Sequence, residues 1–258
     1  MARIRARAKD PALLVDLTDT IRYGDICLMD QPDPFLIEAK VGTEVDRRGR
    51  RQKQKLAKLA KFFETDRVEN LRGYSDLRRK ASKTAERNYA DALGACIGEA
   101  MKKGHAVHTP ERGLYYIAMA ENAPEIGDVL NPLGLTRPWI FRLNEFKAER
   151  AWAPYYPFTL SILDKDHLWA FIRGEVYLLV IMEQDMLCQI AREKGYDAEV
   201  DLNNEEQLFS VRSPSTNKQI WTSSHFIRRI GLEFVSPEWL VTVAIEMLSS
   251  AVLPPKIG

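Results

Sequence analysis

Cysteine is scarce in this chain. Cys27, Cys96 and Cys188 are the three among 258 residues, an odd number at wide spacing in apolar surroundings, which is neither a disulfide framework nor a zinc pattern. A disulfide-stapled secreted domain is thereby excluded, and a reducing cytoplasm is the expected compartment. Long apolar runs are missing too. The longest without charge, Val176 to Met182, falls far short of the ~20 residues of a membrane helix. The start, Met-Ala-Arg-Ile-Arg-Ala-Arg-Ala-Lys, lacks the apolar stretch of a signal peptide, so neither a membrane nor export is expected. Those basic residues read equally as a nucleic-acid-binding arm or a solvated terminus. No GxxxxGK, GxGxxG or Gly-x-Ser-x-Gly occurs, which counts against an NTPase, a dinucleotide enzyme and an esterase-type serine nucleophile.

Net charge is also nearly absent, 37 Lys and Arg against 36 Asp and Glu, but the balance conceals two unlike halves. Residues 1–103 hold 23 basic and 16 acidic side chains, a balance of +7, and residues 104–258 hold 14 and 20, a balance of −6. What is present is ordinary globular composition, 45% hydrophobic and 28% charged with 14 Gly and 13 Pro. The length suits one or two domains with a full hydrophobic core.

Two strands, Ile21 to Met29 and Phe35 to Val41, are expected as a hairpin around Asp30-Gln31-Pro32-Asp33-Pro34. A helix follows over Arg48 to Phe63, with Leu56, Leu59, Ala60 and Phe63 as its apolar stripe. A second helix is expected over Asp76 to Lys103 with Gly104 as its C-cap, and Gly94 and Gly98 allowing close packing. Leu114 to Met119 reads as a buried strand, and the Pro-rich stretch Pro124 to Pro138 as the domain boundary. Beyond it come a strand (Pro157 to Leu163), a helix (Asp166 to Arg173), a strand (Glu175 to Met182) and a helix (Asp185 to Lys194). A hairpin of Leu208 to Arg212 with Gln219 to Ser223 follows, and Ser236 and Pro237 open an apolar final helix to about Val252.

Chemistry concentrates on the first hairpin. Strand alternation puts Glu38 and Lys40 on the face of Leu36, with Ile37 and Ala39 on the other. A four-residue turn at 31–34 pairs Asp30 with Phe35 and sets Asp25 opposite Lys40, one diagonal from Glu38. Two carboxylates and an ammonium on one face suit phosphodiester hydrolysis. Asp25 and Glu38 offer hard oxygen ligands to Mg²⁺ or Mn²⁺, and Lys40 can position the attacking water. The plainer alternative is a solvated hairpin face. Ile26, Leu28, Phe35 and Ile37 favour an interior hairpin, where charges need partners or a metal.

Gly24-Asp25, twelve further residues and Glu38-Ala39-Lys40, followed by a helix, resemble the active-site motif of the PD-(D/E)XK nuclease superfamily over about residues 15 to 120. The resemblance implies an α/β fold, a restriction-endonuclease-like mixed central sheet flanked by helices, with a C-terminal α/β extension. It also implies metal-dependent cleavage of nucleic acid, with DNA favoured. Asp25, Glu38 and Lys40 take the motif positions, and Gln52 is the candidate for the glutamine that some branches carry on the next helix. The superfamily core normally begins with a helix before the Asp strand, whereas Leu13, Leu14 and Val15 are strand-like. Either that helix is short, Ala2 to Asp10, or it is missing.

Arg47, Arg48, Arg50, Arg51 and Lys55 follow the motif closely and are the expected phosphate-binding residues, with Lys53, Lys58 and Lys61 either joining them or forming a solvated face. Arg78, Arg79, Lys80, Lys83 and Arg87 could extend that surface. His105 and His108 have ligand-like spacing but read as loop histidines at a helix end, and His167 and His225 are isolated. Trp139, Trp152, Tyr155, Tyr156 and Trp169 could stack bases, or be buried. The expected organisation is a nuclease core over 1–135 and an accessory segment over 136–258, which is open to a homodimer or a protein partner. The expected function is a DNA endonuclease, in host defence or restriction. The alternatives are a catalytically silent interaction module on the same fold and a small-molecule enzyme whose site lies in the acidic half.

Overall fold

The apolar runs near the start do pair. The computed structural model describes residues 12–14, 26–28, 35–37, 47–71, 74–79, 82–148 and 161–250, a mixed α/β chain in which every described strand pair is antiparallel. It divides into two compact units, residues 1–81 with 153–155 and residues 82–152 with 156–258.

In the first unit β1 (Ala12–Leu14), β2 (Ile26–Leu28) and β3 (Phe35–Ile37) form a sheet in that order. The short apolar run at Leu13 is thus a strand. Leu28 pairs with Phe35 and Ile26 with Ile37, so six residues separate the paired positions, and the expected pairing of Asp30 with Phe35 is corrected by two places. Pro32 and Pro34 cannot donate to a ladder and aspartate is a poor strand former, and pairing that joins Leu28 to Phe35 does not call on them. An even offset leaves each side chain on its original face.

Next comes α1 (Arg47–Thr65), on which Leu56, Leu59, Phe62 and Phe63 are half-buried, whereas Ala60, expected on the stripe, is exposed. Asp66 ends the helix at φ 55°, its N–H donating to the Phe62 carbonyl at 2.8 Å. The chain then turns through the hairpin of β4 (Arg67–Leu71) and β5 (Tyr74–Arg78), with α1 packed on β4. The expected long helix from Asp76 is therefore corrected. Its first three residues belong to β5, where Asp76 accepts from Arg67 Nε of β4 at 2.7 Å, a cross-strand partner that helix propensity does not anticipate, and from Arg78 Nε of its own strand at 2.9 Å.

The second unit runs through α2 (Ala90–Lys103), β6 (His105–Glu111), β7 (Leu114–Met119), α3 (Ile126–Leu130), β8 (Pro138–Arg142), α4 (Glu145–Ala148), α5 (Lys165–Arg173) and β9 (Tyr177–Glu183). It continues with α6 (Asp185–Glu193), β10 (Asp197–Val200), β11 (Phe209–Arg212), β12 (Gln219–Thr222), α7 (Ser224–Leu232) and α8 (Pro237–Ser250). One sheet has the order β6-β7-β9-β8 and another β10-β11-β12. Strands from both sides of residue 135 share the first sheet, so the boundary expected there falls inside a unit. The histidines expected in a loop lie in β6. Pro110 lacks a backbone donor, but β6 is an edge of its sheet with a register shift between His108 and Glu111, where a missing donor is tolerated. Ser161, Ile162 and Leu163 lie outside any strand, and residues 157–160 of the strand expected over 157–163 are outside the described residues.

Both faces of the four-stranded sheet are covered, which accounts for the unbroken apolar sequences of β7 and β9. Leu114, Tyr116 and Ala118 with Leu178, Val180 and Met182 face the main core, beside Cys96 and Ile97 of α2, Phe171 of α5, Ile230 of α7 and Leu240 of α8. Ile117, Leu179 and Ile181 face the opposite way, toward Val129 and Leu130 of α3. Each fully buried side chain of this size contributes roughly 1.5–3 kcal/mol relative to exposure. Gly98 permits the close approach of α5, since a Cβ there would lie 3.1 Å from the His167 ring. Gly104, the expected C-cap of α2, sits at φ 90° with its N–H on the Ala100 carbonyl at 2.8 Å.

Candidate functional site

The first unit carries 19 Lys and Arg against 13 Asp and Glu, the second 18 against 23, so the charge asymmetry follows the structural division. Its densest part is α1, which has eight basic residues and one acidic. Arg50, Arg51, Lys53, Lys55 and Lys61 are exposed, and none has an ion-pair or hydrogen-bond partner for its side chain among the described residues. At ~100° per residue, Arg50, Lys53 and Lys61 fall within about 80° of one another on the side opposite Leu59 and Phe62. Uncompensated cations in a row form a surface that suits phosphates.

Other cations are already engaged. Lys58 Nζ donates to the Asn70 carbonyl at 2.7 Å, which fixes α1 to the hairpin. Arg79 Nε donates to Asp66 at 2.7 Å, its Nη2 to the Phe63 carbonyl at 3.1 Å, and its guanidinium lies 5.5 Å from the Phe63 ring centroid. It thus closes the C-terminal end of α1, where a cation opposes the helix dipole. Arg78 is held by Asp76, and Arg87 lies 3.7 Å from Glu238 and over the Tyr89 ring. These three do not extend the free cationic surface.

Asp25, Glu38 and Lys40 lie outside the described residues, as do Trp152, Tyr155 and Tyr156. Arg47, Arg48 and Gln52 belong to α1, with their side chains outside the described set. Among the described residues, no group of three or more His, Cys, Asp and Glu side chains is placed to hold a metal ion. Trp139 is half-buried against the main core, whereas Trp169 is 56% exposed with Arg173 over its ring.

The second unit brings together polar groups distant in sequence, beside the i,i+4 pair of Glu99 and Lys103. His108 Nε2 lies 2.8 Å from Glu99 Oε2, and Lys103 Nζ donates to Glu99 Oε1 at 2.8 Å; first His108 and then Lys103 hold the Glu99 carboxyl down at about 2. This explains the histidine spacing, since β6 returns along α2 and sets His108 against a helix residue. Glu111 accepts from Tyr89 Oη at 3.0 Å, Ser236 Oγ at 2.6 Å and the Glu238 N–H at 2.8 Å. The Ser236 hydroxyl in turn accepts from the Trp239 N–H at 3.1 Å, so the expected N-cap is present and a carboxylate 125 residues away completes it. Both clusters have structural partners throughout and provide no activated nucleophile. The Cys96 thiol is likewise inert: it donates to the Tyr116 carbonyl at 3.3 Å, and burial pushes it up to about 12.

Comparison with protein-family profiles, curated proteins and solved structures finds no match for this chain. What bears on function is therefore its own residues. The cationic side of α1 is the surface they offer to a polyanion.

Proposed function

We propose that the chain is a metal-dependent nuclease of the PD-(D/E)XK type with a restriction-endonuclease-like core, acting on DNA as an endonuclease in the cytoplasm, in host defence or restriction. The observation that carries this reading is the order of elements around the motif. Asp25 is the residue before β2, Glu38 is the residue after β3, and their neighbours Ile26 and Ile37 are paired. Helix α1 follows, with its unpartnered cations. The even offset in register supports the reading as well, because the expectation that positions 25, 38 and 40 share a face depends on parity alone.

The donor set fits Mg²⁺ or Mn²⁺, because Asp25 and Glu38 supply hard oxygen ligands. Such an ion, when bound, acidifies water and offsets negative charge on the phosphate. Lys40 orients the attacking water and adds positive charge beside it, Gln52 helps to position it, and Arg47, Arg48, Arg50, Arg51 and Lys55 hold the strand by its phosphates. The free cations of α1 equally favour a binding module without catalysis, and one experiment separates the two. Purified protein is incubated with plasmid, linear duplex and single-stranded DNA, and with RNA, in Mg²⁺, Mn²⁺ or EDTA, beside Glu38→Ala and Lys40→Ala. DNA cleavage that requires the metal and is lost in both variants is expected. Equal cleavage by all three proteins would sink the nuclease assignment, and a gel shift without cutting under any metal would establish the binding module.

A further inference from the structure

One face of α8 lines a cavity of about 520 Å³ within the second unit, a volume in the range of small-molecule sites, roughly 300–1,000 Å³. Thr242, Ile245, Glu246 and Ser249 are spaced i, i+3, i+4 and i+7 along the helix. The turn after α6 adds Lys194 and Tyr196, and the segment that opens the second unit adds Lys83. Glu246 fixes that segment: its Oε1 accepts from Thr84 Oγ1, and its Oε2 from the Lys83 N–H at 3.0 Å and Ser82 Oγ at 3.1 Å. Lys83 is thereby held at the cavity by its backbone, while its ammonium has no ion-pair or hydrogen-bond partner among the described residues. Lys194 Nζ lies 3.3 Å from Glu238 Oε1, a carboxylate that Arg87 also approaches, at 3.7 Å. The lining residues and their ion-pair partners thus set three cations against two carboxylates, a positive surplus inside a unit whose own balance is negative.

The hydroxyls of the lining narrow the ligand further. Thr242 Oγ1 donates to the Glu238 carbonyl at 2.8 Å and Ser249 Oγ to the Ile245 carbonyl at 2.9 Å. Each has spent its proton on its own helix and offers only lone pairs to a ligand. Tyr196 packs on the main core, and its hydroxyl has no partner among the described residues, so it can donate. The donors are therefore two ammonium groups and a phenol, which suit an anion, and the acceptors are two aliphatic hydroxyls, which suit O–H groups of the same molecule. We propose that this cavity binds a small phosphate monoester with a hydroxyl-bearing body, the chemistry shared by sugar phosphates and nucleotides. The phosphate takes Lys83, Lys194 and the Tyr196 hydroxyl, and hydroxyls of the body donate to Thr242 and Ser249. The site is independent of the nuclease reading.

The test titrates the full chain in EDTA with ribose 5-phosphate, AMP, ribose and inorganic phosphate by calorimetry, and locates the ligand by amide hydrogen exchange. Saturable binding of ribose 5-phosphate at one site is expected, with ribose and inorganic phosphate each at least about tenfold weaker. AMP tighter than ribose 5-phosphate identifies a nucleotide, and AMP equal or weaker a sugar phosphate; both uphold the proposal. Lys83→Gln and Lys194→Gln should each weaken binding at least about fivefold and Tyr196→Phe about threefold, whereas Lys83→Arg should change it by less than about twofold. Slower exchange is expected at residues 82–84 and 194–196 of the unaltered protein, a measurement that a misfolded variant leaves intact. Absence of saturable binding by both esters, equal affinity for ribose or inorganic phosphate, or full affinity in a folded Lys83→Gln variant would overturn the proposal. So would protection confined to α1, whose free cations also attract phosphate. None of these outcomes touches the cleavage assay, so the two readings fail separately.

Discussion

Replacing Arg50, Lys53 and Lys61 together by glutamine removes the cations that share one side of α1 and leaves its apolar side untouched. Along the helix Arg50 and Lys61 are about 16 Å apart at 1.5 Å per residue, enough to reach two or three successive phosphates. Three neutralised phosphates give a slope of about −2.7 in the logarithm of affinity against the logarithm of salt for duplex DNA. Between 50 and 200 mM salt, that slope weakens binding by about 40-fold. The triple variant should flatten the slope by about 2.7. Arg51→Gln with Lys55→Gln, on the flank of the helix, should change it by less. The measurement is fluorescence anisotropy on a 20-base-pair duplex in EDTA, which suppresses cleavage, with far-ultraviolet circular dichroism to verify folding. A folded triple variant that keeps the wild-type slope would refute the assignment of this surface to phosphate binding.

Two further outcomes concern the second unit. Glu111→Ala leaves Tyr89 Oη, Ser236 Oγ and the Glu238 N–H without their acceptor. At roughly 1–1.5 kcal/mol for each of the three it should cost about 3–4 kcal/mol in urea unfolding, with Glu111→Gln costing less than half as much; a loss below 1 kcal/mol would mean that the cap is dispensable. The Cys96 thiol, raised by burial from 9.0 to about 12, is disfavoured as thiolate in the folded chain. Its contribution to stability is therefore complete below pH 9.0 and falls as pH rises toward about 12, by about 4 kcal/mol in all. Cys96→Ala should show a shallower alkaline loss than the wild type between pH 9 and 11, and parallel pH curves would refute that origin.

Much of the local structure is legible in the chain. Period 3.6 in α1, the turn residues between β2 and β3 and the Ser-Pro start of α8 act over a few residues, and each element forms where its own pattern requires. Failures occur where a distant partner decides. Residues 76–88 have good helix formers, yet Asp76 pairs across a hairpin and Ser82, Lys83 and Thr84 donate to Glu246 of α8. β10 is a short strand whose pairing with β11 supplies what its polar sequence does not. The same limit divides the candidate functional residues. The Asp25, Glu38 and Lys40 set is visible because it is close in sequence, whereas the pairing that occupies Arg79 and Arg87 depends on residues brought together by the fold.

The sequence alone determined a scarcity of cysteine and apolar runs, a basic first part and acidic remainder, and a carboxylate-lysine motif beside a basic helix, because composition and short-range spacing are properties of the chain itself. Which cations remain free was decided by tertiary structure. Arg78, Arg79 and Arg87 differ little in composition from Arg50 or Lys61, but folding gives the former carboxylate or carbonyl partners and leaves the latter exposed. Tertiary structure also set the boundary between the units, since it depends on contacts between residues far apart in the chain.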